Sequence, residues 1–355
     1  MTGDSPLETA LVDALEREDA TAFVHVGPAC DPAIRYCLPA PELEREPERG
    51  RHAVAFDGRE WRVRSAADTG VDPASALADG LAADGLSGTV LTPARLPHDA
   101  ALYLEDAGFS LSSTDVVSRA RATKTDAERS RIEDAQAAAG AGLRRGAAAL
   151  AGAEVVDGRL RLEAEDLTAT RLRTAVDEGI VAAGGFPDGE TRVSIPGDDH
   201  VRPGEPIVLE AAPREPSGYH GALGRTFVRD GEGGSERRAH VGVTRAFRSA
   251  AAMLTADAQS VTAVEADLEA EVRAFGFEDG IRTRVAGVGL EPVERPARGS
   301  RTIDEGAVVR LEVGVALEAG RIRLTELFAV GDGNVDRLGS VPRSLDPEGI
   351  DGEDS

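Results

Sequence analysis

Apolar residues recur at helical spacing at the start of the chain, where Leu7, Leu11 and Leu15 predict an amphipathic helix over about 7–18. The run Ala22 to Val26, closed by Gly27 and Pro28, reads as a short strand. Asp31, Arg35 and Tyr36 follow in a turn that leads into a helix. The segment HAVAFDGREWRVR predicts a hairpin through Asp57 and Gly58. A helix over 72–86, a strand over 89–92 and a helix over 96–107 complete an alternation that describes a small α/β domain, residues 1–118. The pattern then changes to one long helix over 119–150. Its cap candidates are Thr125 and Asp126, Glu128 lies in its first turn, and Ile132, Ala135, Ala139 and Leu143 share a face. Beyond it the spacing predicts a helix over 164–182, a strand over 192–195, a single long helix over 240–275, and strands over 307–317 and 321–330. These form a second domain, 119–340, and the acidic stretch 341–355 reads as a disordered tail.

Composition narrows the partners. The 355 residues include 63 acidic and 40 basic side chains, a formal charge of -23 that argues against nucleic acid or an anionic membrane as partner. Lys124 is the only lysine. An acidic, Arg-for-Lys, aromatic-poor surface suits a high-salt cytoplasm, although a GC-rich coding bias would also favour arginine. No basic-then-apolar leader opens the chain and no apolar run approaches the ~20 residues of a membrane span, so a soluble, cytoplasmic protein is expected. Cys30 and Cys37 are too few for a disulfide framework or a zinc pattern and read as buried free thiols.

The most informative stretch is PIVLEAAPREPSGYHGALGRTFVRDG, residues 206–231. Its first strand ends in Glu210, a Gly218-Tyr219 turn follows, and its second strand ends in Arg225, Thr226 and Phe227. Together with the DPAIRYCL passage, the linker around Lys124 and the VAGVGL turn, it resembles the creatinase, Xaa-Pro dipeptidase and methionine aminopeptidase family of pita-bread metallohydrolases. That resemblance implies an α/β (α+β) chain: a creatinase-like amino-terminal domain followed by a pita-bread domain, homodimeric, acting on a peptide or small-molecule ligand. It also implies five side-chain ligands for two divalent metals, because two adjacent cations need several carboxylates and must leave a bridging water acidic enough to attack a carbonyl.

Position by position, the resemblance maps the first aspartate to Glu210, the second to Ala222, the metal histidine to Ala286, the first glutamate to Glu312 and the last to Thr325. Glu326 lies one place further and is expected on the other face of its strand. Two positions therefore keep a carboxylate and two are alanine. His220, two residues before Ala222, projects to the same face of a strand and with Glu210, Glu312 and Glu326 would make a single weak site for Mn, Co or Zn. Its plain alternative is an exposed or hydrogen-bonded strand histidine. Only His200 and His220 are candidates for a catalytic base. Arg225 is expected to bridge to Glu294 or Glu312, and without metals Glu210 and Glu312 repel unless a cation lies between them. The leading expectation is a relative that has lost dimetal peptide hydrolysis, carries no cofactor and acts as a binding or regulatory paralogue. The alternatives are an active Xaa-Pro dipeptidase or aminopeptidase with one metal, and metal-free hydrolysis of a small C–N substrate.

Overall fold

The computed structural model describes residues 6–38, 50–231, 233–256, 258–298 and 302–351. Two compact units divide at Arg121 and Ala122. Among the described residues no helix is long and apolar enough to cross a membrane.

The first unit contains α1 (Pro6–Arg17), β1 (Ala20–Pro28), α2 (Pro32–Cys37), β2 (Arg51–Phe56), β3 (Trp61–Ser65), α3 (Ala66–Thr69), α4 (Pro73–Ala83), β4 (Gly88–Pro93), α5 (His98–Asp106), β5 (Phe109–Thr114) and α6 (Val116–Ala120). Its sheet has the order β3-β2-β1-β4-β5, parallel through β1, β4 and β5 and antiparallel at β2 and β3. Alternation along β1 explains the layering: Phe23 packs with Leu11 and Ile34 on one face, while Val24 and Val26 pack with Leu77 and Leu104 on the other. Asp31 caps α2 by accepting from Ala33 N at 2.8 Å and Ile34 N at 3.0 Å, with His25 Nε2 3.0 Å from the same oxygen. The two thiols do not share an environment: Cys37 is buried, and burial pushes its pKa up, whereas Cys30 is exposed. The expectation of two buried thiols is corrected at Cys30, which lies in the turn after β1.

The second unit begins with α7 (Asp126–Ala151), held at its start by a capping box of Thr125 and Glu128. Next come three short strands, β6 (Glu154–Val156), β7 (Arg159–Leu162) and β8 (Glu165–Asp166), and then α8 (Ala169–Ala182). The expected helix start at 164 is displaced because Asp166 pairs with Arg159 at 2.8 Å and Arg161 at 2.9 Å across those strands, and Thr168 supplies the cap. Helices α7 and α8 pack closely: a Cβ on Gly142 would lie 2.7 Å from Ile180 Cγ1, and one on Gly179 would lie 2.8 Å from the Ala141 carbonyl. The remaining elements are β9 (Arg192–Ser194), β10 (Pro206–Ala211), β11 (Leu223–Val228), α9 (Ser235–Leu254), α10 (Val261–Arg273), β12 (Ile281–Gly287), β13 (Val308–Leu317), β14 (Gly320–Val330) and β15 (Val335–Leu338). The single helix expected over 240–275 is two. Ala258 has a left-handed φ of 57°, Gln259 bridges to Ile303, and Ser260 caps α10 by accepting from Ala263 N at 3.1 Å.

Strands β9 to β15 form a seven-stranded sheet in the order β12-β13-β14-β11-β10-β9, with β15 added on β14. Two helix pairs cover one of its faces: α7 and α8 pack on β10 and β11, and α9 and α10 pack on β12 to β14. On this covered face lies one buried ionic knot. Arg225, fully buried, donates to Glu326 Oε1 at 2.7 Å and to the carbonyls of Gly224, Val341 and Pro342 at 2.8, 2.7 and 2.9 Å. Arg343 and Arg337 also reach Glu326. Glu326 therefore does face away from Thr325, and the partner of Arg225 is Glu326 rather than Glu294 or Glu312. The knot corrects a second expectation. Residues 341–351 are ordered by it, with Val341 and Ile350 buried beside α7 and a short helical turn over Pro347–Asp351; residues 352–355 lie outside the described ones.

Burial pushes the Glu326 carboxyl upward, but the guanidinium groups of Arg225, Arg343 and Arg337 outweigh it and hold the pKa below the ordinary 4.5. A carboxylate with a depressed pKa stabilises the fold above its unfolded pKa, and that stabilisation is lost as pH falls through the folded pKa. Glu326→Gln should thus cost about 3–5 kcal/mol near neutral pH, since it leaves Arg225 buried without its counter-charge. In denaturant titrations from pH 7 down to pH 3, the wild-type advantage over the variant should shrink below about pH 4.5.

Candidate functional site

The face of the seven-stranded sheet opposite the helices carries the candidate site, and strand register decides which residues meet there. Glu210 pairs with Gly224, Gly224 with Thr325, Thr325 with Glu312, and Glu312 with Arg284, so these residues form one row across β10, β11, β14, β13 and β12. Three of the five expected ligand positions, Glu210, Thr325 and Glu312, thus fall in one line. Gly224 keeps the line close: a Cβ there would lie 2.9 Å from Thr325 Oγ1 and 3.3 Å from Glu210 Cγ. One step along the sheet Ala286 pairs with Arg310, and Arg310 with Leu327. The Ala222 position is filled by packing: it is buried among Ile132, Val288, Leu327 and Ala329, and its N–H donates to Gln136 Oε1 at 2.8 Å.

The two carboxylates are joined by arginine. Arg323, two residues before Thr325 and hence on the same face, places Nε 2.9 Å from Glu210 Oε1 and Nη2 2.5 Å from Glu312 Oε2. Arg310 pairs with the other oxygen of Glu312. Thr325 Oγ1 lies 3.4 Å from Glu210 Oε1, at the outer limit of a hydrogen bond. Thr226 fixes the bridge from behind, because its hydroxyl donates to Arg323 O and accepts from Arg323 N, each at 2.8 Å. Burial lowers the pKa of Arg310, Glu312 and Glu210 oppose that shift, and Arg323 and Arg284 add to it. It is a desolvated cation paired with Glu312, with the charge of Glu210 nearby.

This donor set does not fit two divalent cations. Ala222 and Ala286 offer no ligand atom, and both remaining carboxylates are committed to guanidinium groups. The expected grouping of His220 with Glu210, Glu312 and Glu326 is not formed either, and among the described residues no three His, Cys, Asp or Glu side chains gather as metal ligands would. His220 instead bridges to Arg214, and its Nδ1 lies 3.4 Å from the Ala212 carbonyl. Burial lowers its pKa. His200 lies beside Thr168, with Nδ1 3.4 Å from Asp166 Oδ2. Neither histidine belongs to the row of Glu210, Thr325 and Glu312.

The glycine turn after β12 survives in framework. Gly287 is required there, because a Cβ would lie 2.0 Å from the Arg295 carbonyl. Glu294 of the same turn receives Lys124 Nζ at 2.5 Å, with both side chains almost fully buried, so the lone lysine ties the segment before α7 to this turn.

Residues 130–332 match the family model of metallopeptidase family M24. The chain belongs to metallopeptidase family M24. No curated protein matches the sequence. Among solved structures this M24 chain is similar to the prolidase of Pyrococcus horikoshii, at 16% identity over 96% of this chain and 100% of that one, with a TM-score of 0.75. It is also similar to the X-Pro aminopeptidase of Thermotoga maritima, at 17% identity over 94% and 99% of the two chains with a TM-score of 0.76. The Xaa-Pro dipeptidase of Bacillus anthracis gives 15% identity over 96% and 98% of the two chains and a TM-score of 0.76. At these identities the likeness establishes the fold: mixed α/β, with a pita-bread second unit.

Arg310 and Arg323 were not among the residues singled out from the sequence. Their signal is the spacing: RLE at 310–312 and RLT at 323–325 each put an arginine two places before a ligand position, and so on the same face. Replacing Arg323 by alanine should leave Glu210 and Glu312 facing one another without a shared counter-charge, a loss of about 1–3 kcal/mol. Denaturant unfolding of Arg323→Ala beside the wild type at neutral pH checks this, with a lower midpoint expected for the variant.

Proposed function

We propose that this M24 member has lost dimetal peptide hydrolysis and acts as a non-hydrolytic binding or regulatory paralogue of Xaa-Pro peptidases. One observation carries the reading: Arg323 spans Glu210 and Glu312, and Arg310 takes the remaining oxygen of Glu312. In a hydrolytic relative those carboxylates would hold cations that polarise a carbonyl and acidify a water. A guanidinium neutralises carboxylates equally well but is a fixed, coordinatively closed donor and keeps its proton at any working pH. It can anchor an anion. It does not generate hydroxide.

The resident residues support binding in a definite way. The sheet provides a rigid floor, Thr226 and the buried Arg225–Glu326 knot fix its middle strands, and the apolar packing around Ala222 excludes water from the position of the second aspartate. The peptidase-type framework is retained while the reacting centre is replaced by a permanent ion-pair network.

Purified protein assayed in molar KCl should release no proline from Ala-Pro or Gly-Pro in the presence of Mn or Co, and should retain less than one equivalent of transition metal. Metal-stimulated release that disappears in Glu312→Ala would contradict the reading.

A further inference from the structure

The same face carries more positive charge than its carboxylates use. A cavity of about 460 Å³ opens over β12, β13 and β14, and its lining includes Arg282, Arg284, Arg321, Arg323 and Glu312. Register explains the convergence. Arg282 pairs with Gly314 and Gly314 with Arg323, so two arginines flank a glycine across three strands, about 10 Å apart at the backbone. Arg284 lies two residues from Arg282 and Arg321 two residues from Arg323, on the same face. Gly314 leaves the floor between them without a side chain.

Glu312, the only carboxylate in the lining among the described residues, is already ion-paired with Arg310 and Arg323. Arg282, Arg284 and Arg321 are exposed, and their side chains have no hydrogen bond or ion pair among the described residues. In a chain of formal charge -23, three unused guanidinium groups in one concave site are a local reversal of sign, and such a cleft concentrates anions. The chemistry also excludes one class of occupant. A dipeptide or amino acid brings an ammonium group, and that group would need a carboxylate that Glu210 and Glu312 no longer supply.

We propose that this arginine-lined cavity binds a small polyanion, bearing phosphate groups or several carboxylates and no ammonium. The planar fork of each arginine matches either oxyanion, and several forks around one floor select for more than one negative charge. The proposal deepens the binding role above and rests on it for the exclusion of an ammonium.

Isothermal titration of the full chain with pyrophosphate, citrate, acetate and Ala-Pro, in 0.1 M and 1 M KCl, tests it. Pyrophosphate, citrate or both should bind at least tenfold more tightly than acetate or Ala-Pro, and more weakly at the higher salt. Which of the two binds more tightly identifies the anion as phosphate or carboxylate. The double variant Arg282→Ala, Arg321→Ala should weaken that binding at least tenfold while leaving the unfolding midpoint in place, since neither side chain holds the fold together. Absence of polyanion binding, equal binding by the variant, or preference for Ala-Pro overturns the proposal. Proline release with Mn, followed in the same preparations, reports separately on the non-hydrolytic reading: hydrolysis contradicts that reading, whereas loss of polyanion binding without hydrolysis contradicts only the cavity's assignment.

Discussion

Glu210 and Glu312 project from separate strands onto one face of a sheet, and two carboxylates confined there are tolerable only with positive charge between them. Much of the second unit can be understood from how that constraint is met. Arg323 spans the pair, and its position is set by the Thr226 hydroxyl, which bonds both the amide and the carbonyl of Arg323. On the opposite face the neighbouring residues of the same strands, Arg225 and Glu326, form a second ion pair that also holds the segment after β15. Alternation along two strands thus places one arginine-carboxylate network on each side of the sheet. One faces the cavity and the other faces the helices.

The two networks differ in kind because their surroundings differ. Around Glu326 every donor of Arg225 finds an acceptor, several of them backbone carbonyls, so the charge is satisfied in place and serves stability. On the cavity face Arg310 and Arg323 consume the carboxylates, while the side chains of Arg282, Arg284 and Arg321 have no partner among the described residues. Unpaired guanidinium groups at the mouth of a rigid, half-open site are available to a ligand without rearrangement, which limits the ordering cost of binding.

Local physics made most of the frame legible in the sequence. The capping box at Thr125 and Glu128, the Asp57-Gly58 hairpin and the strand ending in Glu210 follow from patterns that act over a few residues. Departures occurred where a longer-range contact overrode pattern. Helical spacing continues through 255–260, but a left-handed Ala258 and the Ser260 cap break the helix. The acidic composition of 341–355 suggested disorder, yet Arg343 and Ile350 are captured by Glu326 and by the core beside α7. For the site, the sequence offered Glu210, Glu312 and Thr325 as expected ligand positions, which the strand register sets in one row, and Ala222 and Ala286 as two more. It did not locate the replacement charge, because an arginine two residues from a ligand position gives no sign of which carboxylate it will meet until the strands are in register. His220 follows its plain alternative, a hydrogen-bonded histidine in an isolated bridge to Arg214 that lies outside β11.

The most direct test of the central claim is a crystal structure of the protein soaked in millimolar manganese, with anomalous scattering recorded at the manganese edge. The account predicts no manganese peak between Glu210 and Glu312 and an Arg323 guanidinium still spanning the two carboxylates. A manganese ion bound to both carboxylates with Arg323 displaced would contradict it.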